Sequence, residues 1–212
     1  MSQRVGRFIT LEGGEGAGKS TQLRLLAEWL RGQGLQVVQT REPGGSPGAE
    51  RIRELLVNGG TDRWTPLTET LLHYAARSEH IARTIRPALA AGQWVVSDRF
   101  ADSTLAYQGF GQGVAASFIE ELRRKVAGDV WPDLTIVMDL PVEEGLRRAN
   151  SRKGGEMRYE KMEIEFHQRL RQGFLEIAQL DSKRCAVIDA TADVDQVQAV
   201  IRAMVRDRLH VS

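Results

Sequence analysis

A single cysteine, Cys185, stands in this chain of 212 residues, so no internal disulfide can form. It lies beside the apolar run Ala186-Val187-Ile188 and reads as a small buried hydrophobe rather than a nucleophile. Charge of one sign is also scarce. Lys and Arg number 29 against 28 Asp and Glu, a net +1, so no global field favours nucleic acid or a membrane surface. No apolar run approaches the length of a membrane span, and polar residues Met1 to Arg7 lead into a strand without a signal-peptide pattern. A cytoplasmic protein that binds neither nucleic acid nor membrane is expected. Linkers rich in Pro, Gly or Ser, internal repeats and low-complexity tracts are absent too, which predicts one domain over 1–212.

What the chain does contain is concentrated in Gly13-Gly14-Glu15-Gly16-Ala17-Gly18-Lys19-Ser20, a P-loop pattern. Phe8-Ile9-Thr10-Leu11 before it reads as a buried strand. From Ser20-Thr21 to Arg31 the apolar residues recur at helical spacing. Glycines let a loop turn its N–H groups around phosphate oxygens, with Lys19 on the outer phosphates and the Ser20 hydroxyl on Mg²⁺. Gly13, Gly14, Gly16, Ala17, Gly18, Lys19, Ser20 and Thr21 are therefore the expected cradle of a nucleoside triphosphate, with Mg²⁺ beside it.

Five apolar runs read as strands: Phe8–Leu11, Leu35–Gln39, Gln93–Ser97, Leu134–Leu140 and Ala186–Ile188. Helical periodicity covers Ser20–Arg31, Gly48–Leu56, Leu67–Ala91, Ala115–Ala127, Val142–Asn150, Glu160–Leu180 and Val194–Leu209. This alternation predicts an α/β fold of three layers, a five-stranded parallel sheet flanked by helices. Ligands of such sheets bind at the carboxyl ends of the strands, and the distinctive polar residues fall just there.

Three further segments carry chemistry. Thr40-Arg41-Glu42-Pro43-Gly44-Gly45, followed by Arg53, offers forked guanidinium groups suited to phosphate. Asp98-Arg99-Phe100 ends the third strand, where a P-loop enzyme keeps a carboxylate near its Mg²⁺, so Asp98 joins Ser20 as a metal candidate. Thr104 and Gln108 follow four apart and share a face if that stretch is helical; a Gln amide can read one edge of a base. The third segment, Arg147 to Lys161, is strongly basic with Gly154-Gly155 in its middle, and predicts a mobile lid over phosphates.

Phe8–Thr21, Thr40–Gly45 and Asp98-Arg99-Phe100…Tyr107-Gln108-Gly109 together resemble the bacterial thymidylate kinases over nearly the whole chain. The resemblance implies the P-loop kinase fold, ATP with Mg²⁺ as donor, dTMP as acceptor and a homodimer. By the same resemblance Glu15 lies near the deoxyribose 3′-hydroxyl and the acceptor phosphate. Arg41, Arg53 and Arg99 surround that phosphate. Arg77 and Gln108 read thymine with help from Thr104, and Tyr107 crowds the sugar 2′ position. Some relatives carry Arg where this chain has Gly16; others supply it from the lid, where Arg148, Arg152 and Arg158 are candidates beside Lys19, Glu15 and Arg99. The usual Phe four residues before the thymine-reading Arg is replaced by His73, expected to stack on the base with a protonation that varies near neutral pH. His80, His167 and His210 lack such context and are expected at the surface. The leading alternative is a P-loop kinase for another monophosphate or metabolite. A regulatory switch is disfavoured because a guanine-reading Asn-Lys-x-Asp segment is absent.

Overall fold

The computed structural model describes residues 6–151, 158–160 and 162–211. Five parallel strands form one sheet: β1 (Phe8–Glu12), β2 (Val37–Arg41), β3 (Trp94–Asp98), β4 (Leu134–Asp139) and β5 (Cys185–Asp189), in the order β2-β3-β1-β4-β5. The central strands are continuous apolar runs because helices cover both faces; all five residues of β1 are buried. A hydrogen bond between the hydroxyls of Thr10 and Thr135, 2.7 Å long, satisfies the only polar side chains facing each other across β1 and β4 in that register. Edge strand β2 is half exposed and begins two residues later than its apolar run suggests.

The helices are α1 (Lys19–Gly32), α2 (Pro47–Val57), α3 (Pro66–His80), α4 (Arg86–Ala90), α5 (Ala101–Thr104), α6 (Ala116–Val126), α7 (Val142–Asn150), α8 (Ile164–Leu180) and α9 (Val194–Leu209). The expected segment Leu67–Ala91 is α3 and α4 joined by a π-helical turn at Ile81–Ile85, and a second such turn, Leu105–Gly111, continues α5. Local signals set the starts. Thr65 caps α3 by accepting from the Thr68 N–H, with Pro66 at the first helical position, and Asp193 caps α9 through the Gln196 N–H. One apolar core lies between the sheet and α1 with α9, where Leu26, Leu30, Ile136, Ile201 and Val205 are buried. On the opposite face Phe8, Ile85, Val95 and Phe100 form a second cluster, and Tyr107, Phe166 and Phe174 a third. Among the described residues no helix is long and apolar enough to cross a membrane.

Candidate active site

Three glycines of the loop between β1 and α1, Gly13, Gly16 and Gly18, hold backbone conformations that favour glycine. Gly13 has φ 132°, and a Cβ there would sit 2.5 Å from the Met138 carbonyl oxygen. Gly16 has φ 71°, and its Cβ would overlap the Gly145 carbonyl on α7; a Cβ on Gly145 would in turn meet the Glu15 carbonyl at 2.5 Å. The loop and α7 thus touch glycine on glycine, and this backbone has no room for a side chain at position 16. Gly18, left-handed at φ 85°, leads into α1, whose first turn carries neither a side-chain cap nor an acidic residue. Its leading N–H groups are left to an anion, with the helix dipole behind them.

Lys19 is buried under this loop, and its Nζ donates to the carbonyls of Gly13 (3.1 Å) and Gly14 (2.7 Å). Burial first, and Arg99 second, lower its pKa to about 8, against the opposing pull of Glu15, Asp98 and Glu12, so it stays charged at pH 7. At the open side the Ser20 hydroxyl donates to Asp98 at 2.6 Å, bringing two hard oxygen donors together beside the loop. Glu12 is wholly buried at the end of β1 and accepts from the Phe100 N–H (2.7 Å) and the Ser103 hydroxyl (2.5 Å). Burial above all, with Asp102 adding, pushes its pKa up to about 8.

Arg99 adopts φ 71°, a left-handed conformation disfavoured for a residue with a Cβ, immediately after β3. Its guanidinium donates to the Gly13 carbonyl (2.9 Å), the Ser103 hydroxyl (3.1 Å) and Glu15 (3.2 Å), and lies 4.8 Å over the Tyr107 ring. The Tyr107 hydroxyl donates to the same Glu15 oxygen at 2.5 Å. Burial opposes ionisation of Glu15, but Arg99 and Lys19 outweigh it and hold the carboxyl below its ordinary value. Tyr107 is pushed well above the usual phenol range by burial.

A cleft of about 600 Å³ opens beside this cluster and includes Glu15, Arg53, His73, Arg77, Arg99, Thr104, Tyr107 and Gln108 in its walls. Arg77 is fully buried: its Nε donates to Glu42 (2.7 Å), its Nη2 to Thr104 (3.0 Å) and the Phe100 carbonyl (3.0 Å), and it lies 4.6 Å over the Tyr74 ring. Glu42 also faces His80 Nδ1 at 2.9 Å, and His80 Nε2 faces the Thr40 hydroxyl at 2.6 Å. A chain Thr40–His80–Glu42–Arg77 therefore fixes the guanidinium from behind. Arg77 Nη1 and Gln108 Oε1 remain buried without a hydrogen-bond partner among the described residues. Arg53 donates to the Pro43 carbonyl across the mouth of the cleft.

Other expected site residues lie elsewhere. Arg41 turns to Glu50 on α2 (3.0 Å) and Arg148 to Glu144 (2.7 Å) and the Ala190 carbonyl. Arg158 is buried against Glu69 (2.5 Å) and the carbonyls of Leu56, Gly60 and Thr61. Arg152 and the centre of the expected lid lie outside the described residues, whereas Arg147 and Arg148 belong to α7. Two histidines expected at the surface, His80 and His167, are buried, His80 because Glu42 and Thr40 take both ring nitrogens. His73 sits in the cleft wall with Nε2 3.0 Å from the Tyr159 hydroxyl. Burial, then Arg77 and Arg158, lowers its pKa to about 3, so the imidazole is neutral at neutral pH rather than variable.

Sequence reasoning missed Glu42, Ser103 and Tyr159. Tyr159 packs edge-on against Tyr107 at 5.2 Å, yet it sat in a run read only for its charge. The signal for Glu42 was present: Arg77 and His80, three apart, share one face of α3 and call for an acid opposite.

A family model for thymidylate kinase matches residues 11–201. The thymidylate kinase of Caulobacter vibrioides is 58% identical over 204 residues, covering 96% of this chain and 98% of its own. That of Magnetococcus marinus is 51% identical over 207 residues, covering 98% and 99%. The crystal structure of the Ehrlichia chaffeensis thymidylate kinase matches with a TM-score of 0.75 at 37% identity, over 94% of this chain and 98% of that one.

Proposed function

The chain belongs to the thymidylate kinase family and forms dTDP from dTMP and ATP; we propose that dTMP occupies the cleft beside Arg77 and that the ATP phosphates lie in the loop above Lys19. The observation that carries the first half is the orphaned pair in the cleft. A thymine edge offers an N3–H donor next to the O4 acceptor. Gln108 Oε1 supplies the complementary acceptor and Arg77 Nη1 the complementary donor, both already buried and unpaired. Cytosine presents the reverse pattern, acceptor at N3 and donor at N4, and would set like against like. His73 and Tyr159 form one wall for the base. Tyr107, tied to Glu15, crowds the sugar, and Arg53 and Arg99 take the monophosphate.

Phosphoryl transfer then needs positioning and charge neutralisation more than proton transfer. The attacking oxygen of dTMP is already ionised, so no general base is required. Lys19 meets the outer phosphates of ATP, and Arg99, pinned by Gly13 and Glu15, stands between donor loop and acceptor cleft. Ser20 and Asp98 would hold Mg²⁺, since hard oxygen donors beside a phosphate site suit that ion. When bound it neutralises charge on the β- and γ-phosphate oxygens. The same reading makes the enzyme a cytoplasmic homodimer of one domain, with Leu67 and Leu71, exposed a turn apart on α3, among the contacts between copies.

Coupled ADP release with dTMP, dUMP, dCMP, UMP and AMP, with and without Mg²⁺, tests this reading. Turnover that needs Mg²⁺ and favours dTMP strongly over dCMP is expected; equal use of dCMP would overturn the base pairing. Two consequences follow for single residues. Gly145→Ala drives a Cβ into the Glu15 backbone, which has no rotamer to escape through, and should lower kcat by roughly ten- to a hundredfold; parental turnover would contradict the contact. His73 is neutral down to about pH 3 when folded but protonates near 6.5 when unfolded. Its contribution to stability is therefore complete above pH 6.5 and declines on acidification below it. His73→Phe should flatten that part of the urea-midpoint profile between pH 4 and 6.5, and an unchanged slope would count against a half-buried neutral ring.

A further inference from the structure

Behind the cleft, and not lining it, lies a fully buried carboxylate. Glu69, in the first turn of α3, accepts at Oε1 from Gln108 Nε2 (2.8 Å) and Gln112 Nε2 (2.9 Å), while its Oε2 is 2.5 Å from Arg158 Nη2. A glutamine amide has two ends of similar shape and opposite chemistry, so what it faces decides its orientation. A carboxylate paired with a guanidinium only accepts. Opposite Glu69, Gln108 must turn its NH₂ inward, which leaves Oε1 as its free end, the atom found buried without a partner.

We propose that Glu69 is a specificity-determining positioning residue: by holding Gln108 Nε2 it commits Oε1 to the base and makes the site select a pyrimidine that donates at N3. The proposal rests on Gln108 reading the base of dTMP. Arg158 makes burial of the carboxylate tolerable, since an unpaired charge there would be strongly destabilising. Its ion pair with Glu69 and its hydrogen bonds to three backbone carbonyls at and just beyond the C-terminal end of α2 make it part of this support rather than of the phosphate site. The neighbouring Tyr159 carries the same anchorage to the wall of the cleft.

The test is a double-mutant cycle in the full-length enzyme. In Glu69→Gln the new amide can present either end, and Gln108 is released to turn over. KM for dTMP should rise about tenfold or more while kcat stays within about threefold. The ratio of kcat/KM for dTMP over dCMP should fall at least about tenfold. In a Gln108→Ala background the same substitution should add almost nothing to the loss. Additive losses, or an unchanged dTMP/dCMP ratio in Glu69→Gln, would overturn the proposal. If Gln108→Ala alone leaves KM and selectivity at the parental values, the base-reading assignment itself fails, and with it this role for Glu69. Should unpaired Arg158 prevent Glu69→Gln from folding, the pair Glu69→Gln with Arg158→Gln removes both buried charges and is read against the same criteria.

Discussion

Lys19→Ala is expected to lower kcat by about 10²–10³ while the protein remains folded, a loss of the size seen when one preorganised charge-stabilising donor is removed. The geometry makes the case. Nζ is buried beneath the loop and held by the Gly13 and Gly14 carbonyls, with Glu15 and Asp98 close enough to favour its charge. The buried Gly13 carbonyl still accepts from Arg99 (2.9 Å) and the Gly14 carbonyl is only partly buried, so losing the ammonium leaves no acceptor unpaired in the core. The loss therefore belongs to catalysis and not to folding. ADP release at saturating dTMP, beside a thermal melt, measures both. A kcat within threefold of the parent would mean that the ammonium does not meet the transferring phosphates.

Arg77→Ala should have the other large effect, and for a different physical reason. The guanidinium is buried, and truncation would strand the buried Glu42 carboxylate beside His80 without its Arg77 partner. Removing one partner of a buried ion pair costs about 3–5 kcal/mol, a large share of the roughly 5–15 kcal/mol that holds a domain together. The urea midpoint should fall accordingly, and dTMP binding should fail with it because in the proposed pose Nη1 donates to O4. The double variant Arg77→Ala with Glu42→Ala removes the stranded charge and should recover much of the stability without recovering dTMP affinity. Recovery of both would show that Arg77 supports the fold and does not read the base.

The sheet was legible because parallel strands buried on both faces appear as short, unbroken apolar runs, and the P-loop was legible because its chemistry fixes residue types at fixed spacing. Arg77, Thr104, Tyr107 and Gln108 could be brought to one place by resemblance alone. Nothing in their spacing shows that α5 runs into a π-helical turn at Leu105, which displaces each following residue from a 3.6-residue period. Charge misled at the opposite end. Arg158 stands in a run that looks solvated, yet its guanidinium is sequestered by Glu69 and three carbonyls contributed from about a hundred residues away. His80 failed for the same reason, since its burial rests on Thr40 and Glu42, about forty residues away in sequence, whereas His167 is buried with Nε2 unpaired among the described residues.

In the proposed complex the substrate base completes the donor and the acceptor left open in the core of the cleft. A crystal structure with dTMP bound tests it directly. O4 should lie within hydrogen-bonding distance of Arg77 Nη1 and N3 at the same range from Gln108 Oε1, with the base beside His73. A base seated elsewhere, with those two atoms still unpaired or bridged only by water, would contradict it.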